Sequence, residues 1–564
     1  MPVIPFAEYR PDAPVLAQWA RTATNVVPDM ESYRPFNSLS TVTNALTARA
    51  QGAAWFRSTA GAVKMFAGDA TKLYLLSGAT WTSVPKLAAN KAITGITRAN
   101  PAVVTSAGHG YSNGDTIYIS GVVGMTQVNG LFFTAANVAA NTFELSGINS
   151  SSYTAYSSGG NAQKATIYAP GADGTWRFTQ FGSLAIAVNG VDAPQKFDLA
   201  AGTNFADLGG SPPVGTYIAT VREFVVMGKI GSTPQRVQWS PFNNAEGTWG
   251  SVPSTQADYQ DLPDGANVTG VVGGEYGLIF SESAIRRMTY EGSPTVFRFD
   301  KIGGEVGCSV PNSIATIGDV TFFLHKSGFY SISGGQQLKP IGFGRVDRTF
   351  WGEFDEANMH RCSAAIDPVR GLYVLSYPAS GSGGTPNRML VYNFRADRWS
   401  RVETSVEMIF SGISIGAVTL EGLDAYSTNI DTLPYSLDSS FWAGASSLLL
   451  YGFDTSHKSG SFSGAALEAT VETGEFNPGS GRRAYVRALR PLVDGGTPYI
   501  ALGSRETQQA AVAYQGEVGL TGAGLAPVRA SGRYFRVKMR IAAGDTWTHI
   551  QGIDDLDVRV SGAQ

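Results

Sequence analysis

Between Gly277 and Val402 the sequence repeats one plan: a short apolar run, a polar turn carrying Gly, Ser or Asp, and a second short run in period two. GLIFSESAIRRMTY, VTFFLHKSGFYSISGG, and GLYVLSYP followed by RMLVYNFRADRWSRV all follow it. Alternation places every second side chain on one face and the turn residues supply the reversal, so the stretch specifies antiparallel hairpins laid one after another. The units read as blades of a β-propeller.

The plan extends beyond that stretch. It appears first over Ala53–Lys86 (AAWFRS, then VKMFAGDATKLYLLSGATWTSV), where KLYLLSGATWTSV matches MLVYNFRADRWSRV in layout, each ending on a Trp-Thr/Ser pair, Trp81-Thr82 and Trp399-Ser400. Copies of the apolar run, expected as the first strand of each blade, begin near Leu184, Arg222, Leu278, Thr321 and Leu372, with spacings of 38 to 56 residues. That range straddles the period of propeller blades and its irregularity predicts a degenerate propeller with long loops.

Three other texts flank or interrupt the blades. Residues 1–50 carry Pro2, Pro5, Pro11, Pro14, Pro28 and Pro35, and predict an extended arm with one helical turn near Val15–Arg21. The arm lies either on its own domain or across a neighbouring subunit. Residues 93–165 hold short strands (VVT, TIYIS, LFFTAANV, TFELS) between turn clusters at Thr105–Gly110 and Asn113–Asp115, which predicts a small closed barrel inserted in a loop. From Ser461 the segments LEATVETGEF, RAYVRALRPLV, PYIALGSRE, RYFRVKMRIAAG and WTHIQGIDDLDVRV predict a β-sandwich or a completion of the propeller's periphery. The expected organisation is an arm (1–50), a first piece of propeller (51–92), the barrel (93–165), the remaining propeller (166–460) and a sandwich-like domain (461–564), all-β throughout.

Composition narrows the function. Charged residues are 15% of the chain and Gly is 67 of 564 residues, a bias toward turns over charged helix faces. The net charge of -3 advertises no global affinity for nucleic acid or membranes. The opening MPVIPFAEYRPDAP lacks a signal peptide's apolar core and no run approaches the ~18 apolar residues of a membrane span. Synthesis in a reducing cytoplasm without membrane insertion is therefore expected. Cys308 and Cys362 are either one disulfide or two buried thiols.

Two resemblances enter on these residues. The insert, through ANPAVVT, the GHGYSNGD turn and the TFEL close, resembles the β-barrel module named for the first catalytic-cysteine half-domain (FCCH) of ubiquitin-activating enzymes, which recurs in phage tail proteins. It contains no cysteine, so the resemblance implies a protein- or carbohydrate-facing decoration. The remainder resembles the tail hub, or nozzle, of short-tailed bacteriophages, also described as packaged-DNA-stabilisation proteins. Phe181–Phe197, Gly277–Val310, Gly328–Gly335 and Tyr392–Trp399 carry that resemblance. It implies a virion protein forming a ring of six below the portal or its adaptor, holding packaged genomic dsDNA, giving it an exit without sequence-specific binding, and meeting tail fibre, spike or needle proteins.

The sequence offers no catalytic set, cofactor site or metal site. His109, His325, His360, His457 and His549 share no ligand spacing. No Gly-x-Ser-x-Gly elbow stands next to helix signals, and Gly228–Thr233 fails as a phosphate loop because Glu223 occupies the first Gly position. Asp258, Asp261 and Asp264 flank a Pro-Asp-Gly turn, which explains them without catalysis. Asp554, Asp555 and Asp557 lack the spacing of a Ca²⁺ loop. The sharpest local pattern is Phe535–Ile541, whose alternation places Arg536, Lys538 and Arg540 together on one face. These three are the candidate partner-interaction residues, facing an acidic patch of a neighbour, unless the strand is a solvated, charge-protected edge. The alternative function is a propeller that binds a glycan or surface receptor, with Trp239, Trp249, Tyr276 and Trp351 stacking on sugars; a glycan hydrolase is disfavoured, since no acid, base or nucleophile can be named.

Overall fold

The computed structural model describes residues 3–14, 18–263, 266–413, 423–424, 426–437, 439 and 448–560. Among them, seven four-stranded antiparallel units follow one another around an axis. Blade 1 runs from Gly52–Arg57 to Thr80–Ser83, blade 2 from Arg177–Phe181 to Ala206–Asp207, and blade 3 from Gly215–Val221 to Asp258–Asp261. Blade 4 runs from Val268–Val272 to Val296–Ile302, blade 5 from Ala315–Ile317 to Gln337–Pro340, and blade 6 from Ser363–Asp367 to Arg398–Val402. Blade 7 takes Met408–Ile413, Leu448–Phe453 and Lys458–Ser461, and its outer strand, Ser40–Ala45, comes from the beginning of the chain. The first strands lie innermost. Gly52–Arg57 packs beside both Arg177–Phe181 and Met408–Ile413, so the ring closes on itself.

Each gap between neighbouring blades holds an apolar core. Phe66 and Phe197 meet between blades 1 and 2 with ring centroids 5.0 Å apart, Phe280 and Phe323 between blades 4 and 5 at 5.1 Å, and Trp81 and Phe453 between blades 7 and 1 at 5.8 Å. The second strand of a blade serves two such gaps. In Leu184–Val188, Ala185 and Ala187 face blade 1 while Ile186 and Val188 face blade 3. A strand buried on both faces reads as a continuous apolar run. For this reason the runs at Leu184, Leu278, Thr321 and Leu372, and the one that begins just after Arg222, are the blades' second strands and not their first. The true first strands lie on the axis side, and some of them, such as RFTQF at Arg177–Phe181, are only half-buried and carry no such pattern. The paired stretches ending on Trp81 and Trp399 do occupy one place, the third and fourth strands of blades 1 and 6.

The first fifty residues, expected as an arm, lie on their own chain and are built into three sheets. Thr22–Thr24 pairs in parallel with the outer strand of blade 6, Thr24 opposite Arg401, and antiparallel with Ala469–Glu472. Through it the sheet of blade 6 continues into Ala469–Glu472, Tyr534–Ile541, Pro498–Arg505 and Ala513–Tyr514. A second sheet, centred on Trp547–Val560 and Ala484–Gly495, gains Ile4–Pro5, Val26–Pro28 and Tyr33–Pro35 from the same N-terminal segment. Val471, Ile500, Val537 and Met539 on one sheet share a core with Leu489, Ile550 and Ile553 on the other. The C-terminal region is thus a sandwich, and one of its two sheets is an extension of a propeller blade. Of the helical turn expected at Val15–Arg21, residues 15–17 lie outside the described residues, and Ala20 is bridged in parallel to Tyr9.

The insert stands between the last strand of blade 1 and the first of blade 2. Its strands lie in the order Lys91–Ala92, Ser158–Lys164, Thr116–Val123, Leu131–Ala136, Thr142–Leu145, Ala102–Thr105, Gly95–Ile96. The first and last are two halves of one run, so the barrel is closed. Ile117, Ile119, Met125, Phe143 and Leu145 fill it. The chain leaves at Leu87 and returns at Ala165, and the two residues bridge each other in a paired stalk, with Ala88 N–H donating to the Lys164 carbonyl at 2.8 Å and Thr166 N–H to the Lys86 carbonyl at 2.9 Å.

Candidate functional site at the axial mouth

Where the inner strands begin, the propeller axis opens into a cavity of about 220 Å³. Its polar residues stand just before or at the start of inner strands: Arg49 and Gln51 in blade 1, Arg177 in blade 2, Asn312 ahead of blade 5, His360 and Arg361 ahead of blade 6, Glu407 ahead of blade 7, with Asp173 beside them as the partner of His360. Radial repetition is what gathers them, because each blade presents the same edge of its first strand to one axis.

The carboxylates are engaged. Asp173 Oδ1 lies 2.9 Å from His360 Nε2 and 3.5 Å from an Arg361 amino nitrogen, and these partners hold its carboxyl below the usual range against the opposing effect of burial. Glu407 contacts His457 Nδ1 at 2.6 Å and accepts from the Ala50 N–H at 3.0 Å, while burial pushes its carboxyl up. The guanidinium groups are less well matched. Arg177 donates to the Asn312 side-chain oxygen and stands 5.4 Å over the Tyr217 ring. Arg49 donates to the Ala172 carbonyl at 2.8 Å. Burial draws both guanidinium groups down from their ordinary value, and for Arg49 the neighbouring Arg361 charge adds to it. No sequence pattern marks this site, since five separate segments supply it one or two residues at a time.

The sequence-derived candidates lie elsewhere. In Tyr534–Ile541 the alternation is as read, with Phe535, Val537, Met539 and Ile541 buried. The strand is no edge, however: it pairs with Ala469–Glu472 on one side and Pro498–Arg505 on the other. Nor does the acid opposite it have to come from a neighbour. Arg536 faces Glu472 at 3.3 Å and Glu475 at 3.6 Å, and Arg540 faces Glu517 at 2.7 Å and Glu468 at 3.2 Å. Hydrogen bonds from Arg540 first, then the Arg540 and Lys538 charges, hold the Glu517 carboxyl down despite burial. Glu475 also receives a bidentate pair from Arg505 at 2.7 and 2.9 Å. Arg536 and Arg540 are paired within the chain because the flanking strand and loop supply carboxylates in register, and the Lys538 charge acts on Glu517 beside them.

The remaining residues singled out by sequence have structural places. His360 lines the axial mouth and His457 contacts Glu407 there, while His109 is buried in the barrel and packs on Tyr111 and Phe143. Asp261 pairs bidentately with Arg236 at 2.7 and 2.9 Å, and Asp557 with Arg487 at 2.6 Å; Asp264 and the side chain of Asp555 lie outside the described residues. A Gly-x-Ser-x-Gly spacing does occur at Gly412–Gly416, beginning within the strand Met408–Ile413; its Ser414 lies outside the described residues. Cys308 and Cys362 are separate buried thiols, Cys308 pushed up to about 12 by burial. Trp239 and Trp249 are buried in the cores on either side of blade 3, Tyr276 carries the Arg287 guanidinium at 4.5 Å, and Trp351 packs on Phe350 and Phe354, so these four do not form a sugar-stacking face. Among the described residues no three His, Cys, Asp or Glu converge as metal ligands.

Comparison with known proteins finds one family. Residues 99–165 match the ubiquitin-activating enzyme E1 FCCH domain, so the inserted barrel is FCCH-like. No curated protein matches the chain. Among solved structures, the computationally designed Ika8 protein aligns at a TM-score of 0.33 and 9% identity over 75% of this chain and 99% of its own. The WD40 domain of Neurospora crassa Pan2 aligns at 0.27 and 6% over 57% and 83%, and a chain of a mitotic checkpoint complex at 0.28 and 9% over 65% and 90%. The propeller rests on this chain's own sheets.

Proposed function

We propose that this chain is a structural subunit of a virion tail, a hub or nozzle protein assembling as a ring of six beneath the portal or its adaptor. In this reading it retains packaged genomic dsDNA and gives it an exit, contacts tail fibre, spike or needle proteins, and presents the FCCH-like barrel to a partner. It is made in the host cytoplasm and acts as no enzyme. The observation that carries the reading is mechanical. Propeller and sandwich share a continuous sheet stapled by the N-terminal strands, which joins the two units into one body, and the barrel alone hangs from a stalk.

The size of the axial cavity argues for a DNA path outside the propeller. A space of about 220 Å³ is the size of a small ligand site and not of a duplex groove system. The DNA channel of the assembly would therefore run between subunits and not through a propeller. Heterologous contacts closing on themselves would form such a ring.

Native mass spectrometry of the purified chain, alone and with a portal or adaptor ring, tests the reading, followed by negative-stain imaging. A closed ring, alone or on the portal, is the expected result. A monomer that ignores portal complexes would overturn it.

A further inference from the structure

We propose that the axial cavity is a binding site for a small oxyanion, a carboxylate or phosphate group held between Arg177 and Arg361 with Arg49 at its rim. Three guanidinium groups, of Arg49, Arg177 and Arg361, line it with one carboxylate, of Glu407, and Asp173 stands beside it. Asp173 is shared by His360 and Arg361, and Glu407 is taken by His457 and the Ala50 N–H. Arg177 has no carboxylate partner among the described residues.

The donors confirm the imbalance atom by atom. The Nε–H groups of Arg177 and Arg361 are buried without a hydrogen-bond partner among the described residues. A buried charge without a counter-ion is costly, and an anion in the cavity offsets part of that cost for both guanidinium groups through its charge and their accessible amino groups. Burial draws the Arg177 and Arg49 guanidinium groups down, as expected of cations lacking a counter-ion.

Size and geometry define the ligand. The cavity, about 220 Å³ and open to solvent at the mouth, has room for a small oxyanion. Planar guanidinium groups favour carboxylate and phosphate, whose paired oxygens accept bidentate hydrogen bonds. The polar groups sit at the ends of strands of separate blades, so the ligand would join blades 1, 2 and 6 across the axis.

The test is calorimetric titration of the full chain in phosphate-free buffer with inorganic phosphate and, separately, with acetate, at ionic strength matched by NaCl. One saturable site per chain is expected for at least one probe; tighter phosphate points to free phosphate as the source, tighter acetate to a carboxylate-bearing small molecule. Arg361→Gln should weaken binding about tenfold or more, the loss of a charge-assisted hydrogen bond. Arg483→Gln, at a surface pair with Glu506, should leave it unchanged. Asn312→Asp places an internal carboxylate against Arg177 and should abolish probe binding in a folded protein. Heat from neither probe above the NaCl control, or equal binding by wild type, Arg361→Gln and Asn312→Asp, would overturn the proposal.

Discussion

The guanidinium of Arg398, in the outer strand of blade 6, donates to the Met30 carbonyl at 2.8 Å. It also reaches the Asp29 carbonyl at 2.7 Å and the Phe6 carbonyl at 3.2 Å, and lies 4.8 Å from the Tyr33 ring. One side chain thus fixes three points of the N-terminal segment. Arg398→Met keeps the apolar stem and removes every donor, and should lower stability by about 2 kcal/mol or more. Urea unfolding measures that loss. Trypsin should also cut after Arg21 at urea concentrations the wild type withstands; unchanged resistance would show that the segment is held by its strands alone.

Closure of the ring depends on a missing side chain. A Cβ on Gly460 would stand 1.8 Å from the Ser40 carbonyl oxygen, on the strand that completes blade 7. Gly460→Ala should push Ser40–Ala45 away and cost about 1–3 kcal/mol by overpacking. Gly519→Ala, which meets nothing within 4 Å, serves as the control in thermal unfolding.

Stability should fall as pH rises through the range of one buried acid. Asp347 is 8% exposed, accepts from the Phe329 N–H at 3.1 Å, and is pushed up to about 6, chiefly by burial. Its folded pKa lies above its unfolded one, so the folded state binds the extra proton between about pH 4 and 6. The contribution is fully present below about pH 4 and is lost as pH rises through 6, a change of about 3 kcal/mol at most. Asp347→Asn should remove that slope from denaturation midpoints and stabilise the protein at pH 7. An unchanged slope would assign the pH dependence to other groups.

The inserted barrel should be removable. Leu87 and Ala165 bridge each other, so joining them through a short Gly-rich link leaves blades 1 and 2 where they are. Deletion of residues 88–164 should give a folded protein whose far-ultraviolet spectrum stays β-type and whose ring or portal binding is retained. Loss of folding would mean that the barrel buttresses the propeller.

Much of this fold is legible in the sequence, and the part that is not has a physical cause. Second strands announce themselves because they are buried on both faces, as Leu184–Val188 and Leu372–Tyr377 are. First strands such as Arg177–Phe181 go unread because they are half-buried along their length. The seventh blade escapes because its outer strand is written some four hundred residues before its other three. Arg536, Lys538 and Arg540 are legible as a stripe, yet Glu472 and Glu517, which answer Arg536 and Arg540, lie in segments whose adjacency only the sheet reveals. The axial cluster is invisible to any linear pattern, since Arg49, Arg177 and Arg361 meet only after the ring has closed.

The N-terminal strands also set an order of events during synthesis. Ser40–Ala45 leaves the ribosome early but pairs with Lys458–Ser461, and Ile4–Pro5 pairs with Gly552 and Ile553 near the other end. At about 5–20 residues per second, those first segments wait roughly half a minute to two minutes for their partners. Blades 1 to 6 can form in turn while the polypeptide is still being made. The propeller stays an open arc until its last blade is synthesised, and the cell must keep the waiting N-terminal segment out of the wrong hands until then.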